Sequence, residues 1–397
     1  MKRLVVVLAI VLAPVCAMAS GGSGEAAPTT MTVAVPWAGS ELDQFLPVLA
    51  AFEAKEKVKV KPLTYRSEDL ATILPAQFQA HQALADIIFM WDWWVRKNPG
   101  FAVDLRDVWS TGQGAFIPAP AEEAGKVVAV PYQMSAKPGF WYRKSFFAKN
   151  GLKPPTTVAQ FEDLLRAIAK VPGVRAPIVT GDGVGWPISD VTEHFLIAFG
   201  GPELQNGIIA KQVKWTDPQV RAVFEQRLVP ALAQGAFSDP IEWTQAVDLW
   251  WGDEYALYFM GNWITTMVKD PADLGVFPLP GTRALVTGPD WAFIPTESQQ
   301  VPLAKKLLTF MLSKEGQTIR AKQGGKLIIR KDIPASTYPP ADQAVAAVVA
   351  SMQTTVNDLD DSIGGDWQRL FWDQLKLLWV EPGSLDDVLR RLQEKMP

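Results

Sequence analysis

Between Thr32 and Met90 the chain switches repeatedly between two periods, and this narrows the possible folds more than any other feature of the sequence. Thr32-Val33-Ala34-Val35 is a short β-branched run stopped by Pro36, the pattern of a buried strand. Phe45, Val48, Leu49 and Phe52 recur at i, i+3, i+4 and i+7, which predicts a helix. Val58 and Val60 alternate with Lys57, Lys59 and Lys61, which predicts a strand with one solvated face. Leu70 to Gln82 reads as a helix and Ala85 to Met90 as a second buried strand. Strand, helix, strand, helix, strand predicts an open, mostly parallel α/β sheet.

Further helices are signalled downstream. Thr157 with Gln160 has the spacing of a capping box, with a helix running to about Lys170. Asp217-Pro218 places an N-cap before a proline at the first helical position. Ala304, Leu307, Leu308 and Met311 mark an amphipathic helix. Ser384 and Asp387 are expected to cap a last one carrying Leu385, Val388, Leu389 and Leu392. With 397 residues the chain is long enough for two domains. No single Pro/Gly linker splits it, so two domains would have to be joined by more than one crossing.

The N-terminus reads as an export signal. Lys2 and Arg3 precede an apolar run from Leu4 to Val15, followed by Ala17-Met18-Ala19, an A-x-A cleavage pattern. The run is too short to span a bilayer as a helix. Residues 1–19 are therefore expected to be a signal peptide and 20–30 a flexible tether. Cys16 is the only cysteine, which rules out an internal disulfide. Cleavage after Ala19 is favoured, with lipid attachment at Cys16 as the alternative. Loss of Lys2 and Arg3 with the leader takes the formal charge from −4 to −6. That charge offers no basic stripe for nucleic acid. With no cysteine pair and no clustered histidines, no metal site and no cofactor are expected. The sequence has no G-x-x-x-x-G-K-[ST] loop, and Gly181 to Gly185 lacks the third glycine of a dinucleotide fingerprint.

Composition matters at the candidate site. There are 16 Trp against 6 Tyr and 2 His, an excess that suits either a flat-faced ligand surface or a Trp-rich core. Ligands of open α/β sheets bind beyond the carboxyl ends of strands. Two such loops are legible, Pro36-Trp37-Ala38-Gly39-Ser40-Glu41 and Trp91-Asp92-Trp93-Trp94, each setting indoles beside a carboxylate. An indole plane matches the C–H face of a pyranose. Carboxylates, amides and lysines match its hydroxyls, where an unpaired buried polar group would cost about 1–3 kcal/mol.

Four segments resemble the family of extracellular solute-binding proteins that serve ATP-driven (ABC-type) sugar importers, of the maltose- and glucose-binding type. They are Trp37 to Glu41; Val130-Pro-Tyr-Gln133 followed by Phe140 to Phe147; Trp243 to Val247 with Ala256 to Trp263; and Ala304 to Gln317. The resemblance implies a two-lobed α/β periplasmic-binding-protein fold (type II, maltose-binding-protein-like) with several hinge crossings. It implies one lobe at 31–141 plus 271–325 and the other at 142–270 plus 326–397. It implies ligand contacts at Trp37, Glu41, Trp243, Trp263, Asp290 and Lys326. Ser40, Trp91, Asp92, Tyr132, Gln133, Trp186 and Asn262 complete the candidates. The implied function is capture of a mono- or disaccharide and delivery to the membrane subunits of an ABC importer. The protein would act as a monomer outside the cytoplasm, meeting the membrane through the importer or a lipid on Cys16.

Two rival classes remain open. A secreted glycoside hydrolase would need two carboxylates flanking the scissile bond, and Glu41, Asp92 and Asp290 are candidates. The pairs Asp253-Glu254 and Asp360-Asp361 read as solvated surface, and His81 and His194 as structural. A solute-binding protein for a polyamine, a metal chelate or a peptide is the other rival; Trp mixed with Asp, Glu, Asn and Lys fits a neutral polyol better.

Overall fold

The computed structural model describes residues 29–112 and 114–397, so the expected leader, Cys16 and residues 20–28 of the tether lie outside the described residues. The strands are β1 (Thr30–Val35), β2 (Lys59–Thr64), β3 (Ile87–Phe89), β4 (Ala121–Glu123), β5 (Lys126–Ala136), β6 (Phe140–Arg143) and β7 (Ala176–Asp182). They continue with β8 (Phe237–Glu242), β9 (Tyr255–Phe259), β10 (Leu274–Phe277), β11 (Ala284–Phe293), β12 (Leu327–Ile328) and β13 (Thr354–Asn357). Two sheets result. The first runs β12-β5-β11-β3-β1-β2, with β13 beside β11 and β4 beside β5; the second runs β10-β6-β9-β7-β8.

Each sheet is the centre of one α/β lobe. In β1 the side chains alternate: Met31, Val33 and Val35 join Phe45, Val48 and Leu307 on one face, and Ala34 joins Leu70, Leu74 and Phe78 on the other. Helices cover both faces, which is why this strand reads as an almost unbroken apolar run. Each fully buried Phe or Leu here contributes about 1.5–3 kcal/mol. β1 pairs in parallel with both β2 and β3, as expected, whereas β5 and β11 run antiparallel to each other and β11 runs antiparallel to β3. In the second lobe Phe140, Ile178, Leu257 and Phe259 pack against Ile188, Phe195, Phe371 and Leu375. Trp367 and Phe371 also lie in that core.

Three expected caps differ in detail. Thr157 Oγ1 does accept from the Gln160 N–H at 3.2 Å, but the Gln160 side chain accepts from the Thr156 N–H at 2.8 Å, one residue earlier than a capping box requires. Asp217 accepts from the Lys214 N–H at 2.9 Å, and Ser384 donates to the Glu381 carbonyl at 2.7 Å. Short polar side chains bond whichever backbone group is nearest, and here that is the preceding turn.

The chain passes between the sheets at 137–139, between β5 and β6, and at 278–283, between β10 and β11. These passages differ slightly from the expected boundaries at 141 and 271, because β6 and β10 both belong to the second sheet. β12 and β13 pair with β5 and β11, so the last return to the second lobe follows Asn357 and not residue 325. Beneath the passages one apolar cluster, with Ala136, Trp141, Tyr258, Trp263, Leu327 and Tyr338, draws residues from both sheets.

Two passages touch at Gly139. Its φ is +129°, and a Cβ there would lie 2.2 Å from the Phe277 carbonyl oxygen. Gly139→Ala is therefore expected to cost at least 1–3 kcal/mol, roughly the range for a disallowed backbone conformation alone. Chemical denaturation measures this; an unchanged midpoint would mean that the passages separate without cost.

Candidate functional site

A cavity of about 900 Å³ lies between the lobes and is lined from both. Eight of the sixteen Trp line it: Trp37, Trp91, Trp93, Trp186, Trp243, Trp263, Trp291 and Trp372. The indole excess thus divides evenly between the cleft and the rest of the chain.

The first-lobe wall is built at strand ends. Pro36 stops β1, and the chain turns through Gly39 into the helix Ser40–Glu56, whose first turn carries Glu41. Glu41 lies 3.8 Å from Lys326 Nζ, and Asp290 of β11 lies 3.7 Å from the same ammonium. Lys326 also donates to Ser135 Oγ at 2.8 Å. Burial raises the Glu41 carboxyl above the usual carboxylate range, against the pull of Lys326. Consecutive strand residues normally point to opposite faces, yet Asp290 and Trp291 both line the cavity. The register of β11 against β5 shifts between these two residues, and this irregularity turns both toward the cleft.

Behind Asp290 stands a buried relay. Gln133 Nε2 donates to Asp290 Oδ2 at 2.7 Å, and Gln133 Oε1 accepts from Arg320 Nε. Arg320 is buried and also donates to the Gly324 carbonyl at 2.8 Å. The guanidinium fixes which end of the Gln133 amide faces Asp290, and so fixes the carboxylate.

The second-lobe wall is set by Lys137 at the first passage. Its ammonium lies 2.6 Å from both Asp190 carboxylate oxygens and 3.5 Å from Asp358. Burial opposes the Lys137 charge, but Asp190 and Asp358 more than reverse this and hold the ammonium above the usual lysine range. Lys137 also sits over the Trp186 ring at 5.6 Å and the Trp263 ring at 5.1 Å, and Lys326 sits over Trp263 at 4.8 Å. Two lysines, one held by each lobe's acids, thus meet one indole. Trp186 contacts Trp243 and Trp263 edge-on, with ring centres 5.4 and 5.5 Å apart.

Of the sequence candidates, Trp37, Ser40, Glu41, Trp91, Asp92, Trp186, Trp243, Trp263, Asp290 and Lys326 line this cavity. Trp37 is nevertheless almost fully buried, against Phe45 and Phe89. Tyr132, Gln133 and Asn262 do not line it. Tyr132 packs in the first-lobe core, Gln133 supports Asp290, and Asn262 accepts the Ala136 N–H at 2.9 Å across the passage. Trp91-Asp92-Trp93-Trp94 is not a loop: a helix begins at Asp92 and runs to Lys97, held by Arg96 Nε donating to Asp92 at 3.0 Å.

The largest omission of the sequence reading is the segment Asn357 to Ser362. Asp360, expected at the surface, is buried and accepts from Trp372 Nε1 at 2.6 Å and Ser189 Oγ at 3.0 Å. Asp358 and Asp361 line the cavity beside it. Carboxylate oxygens of Asp190, Glu193 and Asp358, and of Asp358, Asp360 and Asp361, come within 4.8 Å of one another, a grouping missed by a search for Cys and His alone. Lys137 supplies the cation against Asp190 and Asp358. His194 is buried, accepts the Leu279 N–H through Nε2 at 2.9 Å, and is held down to about 3 by burial, so it is neutral and structural.

Comparison with known proteins places this geometry. The family model described as "Bacterial extracellular solute-binding protein" matches residues 38–318. The chain is 51% identical over 375 residues to an uncharacterized ABC transporter extracellular-binding protein of Pyrococcus horikoshii, covering 93% of this chain and 88% of that one. A second such protein of the same organism is 26% identical over 342 residues, covering 80% and 75%. Among solved structures, a bacterial solute receptor with an exclusive preference for β-D-galactopyranose superimposes with a TM-score of 0.84 at 17% identity, covering 93% of this chain and 98% of that one. A chitin oligosaccharide binding protein gives 0.78 at 18% identity, covering 92% and 98%.

The crowded carboxyls generate a pH test. Burial and neighbouring carboxylates raise Glu193 and Asp360 well above the usual carboxylate range. A carboxyl that holds its proton more tightly folded than unfolded adds stability at low pH. That contribution fades as pH rises from the ordinary carboxylate value through the raised folded one. Glu193→Gln mimics the protonated form at every pH. Its melting temperature is expected to fall less than that of the parent as pH rises above the ordinary carboxylate range; parallel curves would refute the assignment.

Proposed function

The chain belongs to the bacterial extracellular solute-binding protein family, and from that premise we propose that it captures a neutral mono- or disaccharide in the interlobe cleft and delivers it to an ABC importer. The observation that carries the reading is the pairing, within one cavity, of indole faces with the Glu41–Lys326–Asp290 cluster. Flat apolar planes beside fixed donors and acceptors suit a ring with one C–H face and a rim of hydroxyls. The related receptors for galactopyranose and chitin oligosaccharide add support by their shared fold. The expected leader, with export through residues 1–19, fits a role outside the cytoplasm. No helix among the described residues is long and apolar enough to cross a membrane. Delivery would therefore rest on docking to the importer's membrane subunits, with Cys16 as the candidate lipid site.

Charge narrows the ligand. Seven carboxyl groups line the cavity (Glu41, Glu68, Asp92, Asp290, Asp358, Asp360 and Asp361), and burial raises Glu41, Glu68, Asp360 and Asp361 above the usual range. Of the four basic groups, Arg96, Lys137 and Lys326 already face carboxylates within 4 Å, which leaves little positive charge to receive a sugar phosphate or a uronic acid.

Calorimetry and thermal shift with mono- and disaccharides test the proposal. At least one neutral sugar is expected to bind with micromolar or tighter affinity and raise the melting temperature, without being consumed; saturation at 100 times the Kd is worth about 2.7 kcal/mol. Uronate and phosphate analogues of that sugar are expected to bind at least about tenfold more weakly, a difference of 1.4 kcal/mol. Asp290→Asn, which keeps an oxygen to accept from Gln133, is expected to lower affinity by a similar factor. Release of reducing ends would move the assignment to a glycoside hydrolase, and a panel without binding would remove the sugar.

A further inference from the structure

The third-strand helix Asp92–Lys97 belongs to the first lobe, yet its Trp93 rests on the second. Gly364 and Gly365, at the start of the helix Gly365–Val380, have φ of +64° and +63°. A Cβ on Gly364 would lie 2.5 Å from the Trp93 ring, closer than any side chain tolerates. A Cβ on Gly365 would meet only Lys97 Nζ, at 3.4 Å. Trp93 is itself positioned within its own lobe. It stacks on Trp91 with ring centres 5.7 Å apart and planes 17° from parallel, and Lys97 Nζ stands 5.0 Å over its ring.

We propose that Trp93 determines ligand retention as a cross-lobe seat: its indole lies on the bare Gly364 backbone, and this contact holds the cleft shut. The absence of a side chain at Gly364 is what allows the two lobes to meet there. A contact made only when the lobes meet favours the closed form and slows its reopening once a ligand is inside. Retention by the seat rests on the reading of the cleft as a ligand site; the seat itself does not.

The test reads lobe separation directly. Spin labels on Lys61→Cys and Asp163→Cys, both exposed and one on each lobe, report the interlobe distance in a Cys16→Ser background. The unliganded parent is expected to show a closed population that Trp93→Ala depletes at least threefold and that Trp93→Phe largely restores. Gly364→Ala should open the lobes equally. Gly365→Ala carries the same positive-φ strain without the collision and should leave them closed, which separates the seat from general backbone damage. A parent that is open without ligand would overturn the proposal, as would Trp93→Ala and Gly364→Ala distributions identical to the parent. With a bound sugar, Trp93→Ala is expected to raise the dissociation rate at least tenfold while the association rate changes less than threefold; a loss confined to association would refute the retention role. Failure of every sugar to bind would defeat the functional assignment while leaving the distance measurement decisive for the seat.

Discussion

One buried ammonium anchors much of this architecture. Lys137 sits where the chain first leaves the first sheet, and both oxygens of Asp190 in the second lobe hold it at 2.6 Å. Removing one partner of such a pair leaves an uncompensated charge indoors, at a cost of about 3–5 kcal/mol. The passage at 137–139 is therefore tied to the helix Trp186–Gly200 by a bond that bending of the passage must carry along. The same ammonium meets the Trp263 and Trp186 rings, so the floor of the cleft is referenced to the second lobe. Lys326 does the corresponding work on the other side, held by Glu41, Asp290 and Ser135 of the first lobe. Trp263 stands between them, the one indole in contact with both anchors.

This arrangement gives the two walls different characters. The first lobe offers acids already shared with Lys326 and fixed from behind by Gln133 and Arg320. The second offers Asp358, Asp360 and Asp361 among indoles, with several of their bonds going to neutral donors such as Ser189, Gln368 and Trp372. A polyol entering between them would meet preorganised partners on one side and a protonatable, aromatic surface on the other. Preorganisation of this kind lowers the ordering cost of binding without adding contacts.

Much of this was legible in the sequence because period reports burial. The first three strands and two helices of the first lobe fall where alternating and 3.6-residue patterns place them. The segments that follow β1 and β3 carry indoles that do reach the cleft. The unread parts have specific causes. Tyr132 and Gln133 are neighbours on β5, and pleating sends strand residues to alternate faces without saying which face is wet. Asp290 and Trp291 share the cleft only through a register irregularity that leaves no residue signature. Asp360 looked solvated because an acidic pair usually is, but Trp372 and Ser189, far away in the chain, supply its bonds. Trp91 to Trp94 looked like a loop because three indoles mask the one-turn Asp92–Arg96 pairing that starts a helix.

The gathering of indoles has an optical consequence. Trp91 and Trp93, Trp186 and Trp243, and Trp186 and Trp263 stand with ring centres 5.4 to 5.7 Å apart. At such spacings excitation migrates from ring to ring faster than it is emitted. Each group, the Trp91–Trp93 pair and the Trp186–Trp243–Trp263 trio, would then act as a small antenna whose emission follows its ring of lowest energy. Two positive charges beside Trp263 tune that ring differently from its neighbours, so a guest that shifts either lysine would change the emission of the group without touching every member.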